Sequence, residues 1–211
     1  MAHAEGDSTE AAGVTAHAEG YLSHAAGNSA HAEGEGTNAV GTFSHTEGYY
    51  TTAEGDAAHA EGISSKASGG GSHVEGISCN ALGQASHAEG SETKATDAFA
   101  HAEGLQTEAA AIGAHAEGGA TKATGVWSHA GGYNAVASGN SSFAHGSNVT
   151  AAGDFSCAIG DHIIASGGVQ TVIGMYNKEA SDKLFIIGNG SQGVDVLGNA
   201  YIARKNAMTV D

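Results

Sequence analysis

Ten histidines, His3, His17, His31, His45, His59, His73, His87, His101, His115 and His129, follow one another at intervals of fourteen residues without a slip. The frame runs on through Phe143, Cys157 and Thr171, and a glycine recurs three residues after each of these positions, from Gly6 and Gly20 to Gly160 and Gly174. The other half of the unit reads roughly x-x-[Ser/Thr]-x-Ala-x-Gly, with an alanine column at 11, 25, 39 and every fourteenth residue to 165 that never breaks. Thirteen units therefore share one register over residues 1–174. Self-similarity of this kind marks a repeat architecture, in which a unit cannot bury its own apolar face and must stack on its neighbours.

Fourteen residues are too few for a helix pair but enough for two short alternating runs, each followed by a turn. The expected fold is all-β, a parallel β-solenoid or β-roll of 14-residue turns. Parallel stacking at ~4.7–4.9 Å per turn would give a rod on the order of 60 Å long, with equivalent residues in straight columns. Neighbouring residues of a strand face opposite ways. In "SHAEG" at 86–90, Ser, Ala and Gly therefore face a narrow interior, and His and Glu face away from it. An interior filled with Ala buries little apolar area, far less than a core of Leu or Ile at ~1.5–3 kcal/mol per side chain, so one chain alone looks too thin. An obligate homo-oligomer is expected.

Composition narrows the function. The 34 glycines obey no third-residue rule and proline is absent, which excludes collagen. Seven basic residues against 23 acidic ones, a formal charge of −16, argue against a nucleic-acid partner, because phosphate contacts need a positive face. No stretch approaches the ~20 apolar residues of a membrane span, so membrane insertion is not expected. The start, "MAHAEGDSTE", has neither the basic nor the apolar region of an export signal and falls inside a repeat unit, as the start of an excised fragment would. Cys79 and Cys157 lie more than five units apart, too far for a disulfide within one chain, and are expected as free thiols, which fits assembly in a reducing compartment.

The last units, "SCAIG" at 156–160 and "QTVIG" at 170–174, put Ile159 and Ile173 into the glutamate column. With the fourteen-residue period, these motifs make residues 1–174 similar to the heads of trimeric autotransporter adhesins. The resemblance implies a homotrimeric, left-handed parallel β-roll. Where that family places aliphatic residues at the trimer contact, this chain carries His and Glu. The resemblance thus implies polar columns along the trimer axis: His3, Glu5, His17, Glu19, His31, Glu33, His45, Glu47, His59, Glu61, His73, Glu75, His87, Glu89, His101, Glu103, His115, Glu117 and His129. The tail "LFIIGNGSQGVDVLGNAYIARKNAMTVD" resembles the segment that precedes a self-cleaving chaperone domain in some bacteriophage fibre proteins. That second resemblance implies that residues 175–211 form a capping or connecting module. It also implies a phage or prophage tail fibre, a virion component engaged in host attachment; the alternative is the head of a bacterial surface adhesin.

The repeated His-x-Glu pair invites a chemical reading. Three imidazoles around a three-fold axis would make a ligand set for zinc or nickel, but no known metal signature is matched. The expected role is architectural, with neutral His hydrogen-bonding to Glu of a neighbouring chain or turn, no cofactor, and ions at a few axial levels as the alternative. No catalytic residue is expected. Ser86 and His87 face opposite ways, so they cannot act as nucleophile and base. A polysaccharide-degrading enzyme is a further alternative, yet glycoside hydrolysis needs two carboxyls in different surroundings, and these glutamates sit in near-identical ones. Ice binding is disfavoured because the Thr/Ser column breaks at Ala135, Val149 and Ile163. Aromatic residues at the corners, Tyr21, Tyr49, Tyr50, Phe99, Trp127 and Tyr133, are candidate contacts for a host receptor or glycan; the plainer role is to seal gaps between turns.

Overall fold

The computed structural model describes residues 1–194, 200–203 and 205–210. The chain packs as two compact units, Met1–Gly113 and Ala114–Asp211. Both are parallel β-solenoids of fourteen-residue coils, and among the described residues there is no helix.

In the first unit most coils contribute a five-residue strand that begins at the histidine and a two-residue strand that ends at the in-frame alanine, as in His17–Tyr21 and His24–Ala25. Like residues pair with like across the coils: His17 with His31, Ala18 with Ala32, Glu19 with Glu33, Gly20 with Gly34. Two corners close each coil, and every seventh residue sits in the left-handed region: Ser8, Thr15, Leu22, Ser29, Gly36, Phe43, Tyr50 and onward. That conformation turns the corner N–H onto the preceding coil. Phe43 N donates to Asn28 O at 2.9 Å and Tyr50 N to Glu35 O at 2.8 Å, so the ladder of the strands continues around the bends.

The interior is as narrow as the alternation demands. Ala18, Ala25, Ala32 and Ala39 are fully buried, as are the Ser/Thr column members Thr51, Thr93 and Thr121. Serines ahead of the histidines bind their own corner: the hydroxyls of Ser44, Ser72 and Ser86 donate to the carbonyls of Gly41, Gly69 and Gly83 at 2.6, 2.7 and 2.7 Å. The glycine after each glutamate is obligate. Gly90 has φ +107°, and a Cβ there would stand 2.2 Å from the carbonyl oxygen of Gly104 on the next coil.

The second unit keeps this plan in strands such as His129–Tyr133, Phe143–Ser147, Cys157–Asp161 and Thr171–Met175. The parallel frame extends one strand beyond residue 174, since Thr171, Ile173 and Gly174 pair with Phe185, Ile187 and Gly188. Asn206–Val210 then pairs antiparallel with Phe185–Asn189, and Ser191–Val194 forms an antiparallel pair with Ala200–Ala203. The remainder of the 175–211 module, residues 195–199, 204 and 211, lies outside the described residues.

Two amides finish the short-strand sheet. Asn177 is fully buried where the next coil's strand would begin; its Oδ1 accepts from Ile164 N at 2.8 Å and its Nδ2 donates to Ile164 O at 3.0 Å. Gln170 replaces the small residue ahead of the strand, donating to Ala180 O and Lys183 O at 2.7 Å each and accepting from Gly167 N at 3.2 Å. The Asn177 amide stands in for the missing peptide of the short-strand sheet, and the Gln170 amide ties its coil to the 180–183 segment that follows.

Candidate functional site

The His and Glu columns lie on the outer side of the five-residue strands, opposite the buried alanines, as alternation requires. From His17 to His101 the imidazoles stack face to face, with ring centres 4.7 to 4.9 Å apart and interplanar angles of 2° to 23°. That spacing is the coil rise itself. Only about a third of the His31 and Glu33 side chains remains exposed, 38% and 34%.

Within one chain the expected His–Glu hydrogen bonds are mostly not made. His17 Nε2 to Glu19, His31 Nε2 to Glu33 and His87 Nε2 to Glu89 are each 3.7 Å, beyond hydrogen-bond length. The covered Nε2 atoms of His31, His45, His59, His73 and His87 make no hydrogen bond. The glutamates instead lean on one another. Hydrogen bonding to Glu47, then to Glu75, then burial push the Glu61 carboxyl up to about 7. Glu33 is raised chiefly by its hydrogen bond with Glu47, whereas Glu47 is held low by hydrogen bonds from Glu61 and Glu33. Burial, and then the flanking imidazoles, lower the basicity of His59 and His87. Beside these carboxylates runs a shallow groove of about 480 Å³, lined by Glu19, Glu33, Glu47 and Glu61 over a floor of Gly34, Gly48 and Gly62.

The pattern breaks in the second unit. Gly131 and His145 occupy the next two places of the glutamate column, and Phe143 takes the histidine place. There Glu117 Oε1 comes within 3.3 Å of His129 Nε2 and 4.0 Å of His145 Nδ1. The sequence reading did not pick out His145; its signal is a histidine standing two residues out of the histidine frame.

No family model and no curated protein matches the chain.

The six corner aromatics are all exposed, from 46% at Tyr21 to 63% at Tyr133. They divide into two kinds. Tyr50 lies over Gly36, where a Cβ would meet its ring at 2.8 Å, and Tyr133 lies in the same way over Gly119, at 3.2 Å. Those two seal the corner of the coil before them. Tyr49 packs edge-on against Tyr50, with centroids 4.5 Å apart. Phe99 and Trp127 stand in the other corner column, 58% and 62% exposed, in places that Thr15, Ala57 and Ala85 fill elsewhere. Ser86 is buried and bonded to Gly83, on the side of the strand away from His87.

Proposed function

We propose that this chain is a structural, host-attaching segment of a homotrimeric fibre, of the phage or prophage tail-fibre type, in which the His/Glu face is the contact between chains. One observation carries the reading: an outward face of stacked imidazoles in which the covered Nε2 atoms of His31, His45, His59, His73 and His87 make no hydrogen bond, beside carboxylates crowded against one another at Glu33, Glu47 and Glu61. Polar groups that are largely covered and unpaired are costly. Bringing the Glu column of one chain against the His column of the next would convert Glu–Glu repulsion into His–Glu hydrogen bonds and fill the glycine-floored groove. The thin alanine interior supports the same conclusion, since it offers little apolar burial for one chain standing alone.

Attachment belongs to the corners. Phe99 and Trp127 present rings to solvent at positions where the coil accepts Ala or Thr, and an exposed ring is suited to stack on a sugar. Binding of the purified protein to bacterial cells tests this role: Trp127→Ala and Phe99→Ala should lower binding several-fold without altering the melting temperature. Unchanged binding in the double variant would remove the corners from the account, and release of oligosaccharide from host polysaccharide would favour an enzymatic fibre.

A further inference from the structure

We infer that Glu117, His129 and His145 form a site for one first-row divalent transition-metal ion, assembled within a single chain where the repeat breaks. Their ligand atoms already lie within 4.8 Å of one another. Donors about 2.0–2.2 Å from a shared tetrahedral ion stand ~3.4 Å apart. The Glu117–His129 distance of 3.3 Å meets that separation, and the 4.0 Å to His145 is closed by a small side-chain rotation. Two imidazoles and one carboxylate suit zinc and its neighbours, and leave a coordination position open.

The space for this convergence comes from one substitution. A Cβ on Gly131 would lie 2.6 Å from His145 Nδ1 and 2.8 Å from Glu117 Oε1, so both side chains reach into the volume that a glutamate would take. Elsewhere in the array, groups such as Glu19, His31 and Glu33, followed by Glu33, His45 and Glu47, hold one imidazole and two carboxylates. Glu33, Glu47 and Glu61 are each shared between two levels, so ions at adjacent levels would compete for ligands and repel. At the break that competition is removed on one side, because Ile159 follows His145 in the column. Phe143 closes the site from the side: its ring centre is 5.0 Å from that of His129, and it lies nearly parallel to His145, at 9° and 6.0 Å. An apolar wall of this kind holds ligand rings in orientation and limits water. All three ligands belong to one chain, so the site does not depend on trimer formation.

Calorimetric titration of the full chain with Zn²⁺ alone, paired with Co²⁺ titration followed by visible absorption, tests the site. One equivalent per chain should bind roughly tenfold or more tightly than any further ions, and Co²⁺ should give the intense bands of a low-coordinate site. His145→Gln and Glu117→Gln should each weaken that equivalent by roughly tenfold or more, with metal-free melting used to confirm that each variant folds. A series of equal weak sites in the parent protein, or a His145→Gln chain that binds Zn²⁺ as the parent does, would overturn the proposal. The parent stoichiometry decides the matter even where a variant fails to fold.

Discussion

A bulky side chain in the left-handed region costs about 1–2 kcal/mol, yet Phe43, Phe99, Trp127 and Phe155 sit there at φ of 57° to 61°. The cost is met by the corner ladder, in which Phe99 N donates to Gln84 O at 2.9 Å. Because Ala57 and Ala85 fill the same column, the ring itself is not what the fold needs. Phe99→Gly should therefore leave thermal stability unchanged or raise it by up to about 1 kcal/mol, strain relief being partly offset by the freer unfolded chain. Gly90→Ala is the opposite case: its Cβ would strike Gly104 O, and a loss of about 3 kcal/mol or more is expected in denaturant melts. The glutamate column predicts a pH effect. Glu61 titrates near 7 in the fold against an ordinary 4.5, so its stabilising protonation is complete below about 4.5 and is lost as pH rises through about 7. His59 and His87 act in the reverse sense, contributing above their ordinary 6.5 and losing that contribution as pH falls through their lowered values. Glu61→Gln should accordingly stabilise the protein by about 0.5 kcal/mol at pH 8, the size of a like-charge pair on adjacent strands, and by almost nothing at pH 5.

At the scale of the strand and coil, the two alanine columns differ in tolerance. The column of Ala102 also holds Thr46 and Val74, both fully buried, whereas the column of Ala95 is alanine at every place from 11 to 165. Ala102→Val should cost less than about 1.5 kcal/mol and Ala95→Leu about 1–3 kcal/mol or more, compared by chemical denaturation. Asn177→Ala would leave the backbone N–H and C=O of Ile164 without their amide, for a loss of about 1–3 kcal/mol, and would bare a strand edge, so concentration-dependent association is expected in light scattering. The coil, its interior alanines and its outward histidines were legible in the sequence because one assignment of faces holds for every unit. The caps were not: Gln170 and Asn177 look like ordinary polar substitutions until the coil they terminate is seen. Nor were the left-handed corners, since Phe99 and Trp127 carry no conformational signal for that region. The frame beyond 174 was masked because residues 177–184 replace the short strand, although Gly188 still follows Gly174 by fourteen. At the break the sequence shows only a histidine out of frame; that Gly131 clears the space where His145 meets Glu117 is visible only in the fold.

For the whole molecule, the outward face sets the question. On the proposed reading, a solenoid that places its large polar side chains in columns, leaves the Nε2 atoms of His31 to His87 without hydrogen bonds and fills its interior with methyl groups is covered by copies of itself. The resemblance to adhesin heads suggested three chains, and the half-covered face and the crowding of Glu33, Glu47 and Glu61 against one another support a partner that supplies imidazoles to those carboxylates. The mass in solution is the most direct test. Sedimentation equilibrium at neutral pH and micromolar concentration should give three times the chain mass of 20.7 kDa, and a well-folded species of 20.7 kDa under the same conditions would contradict the account.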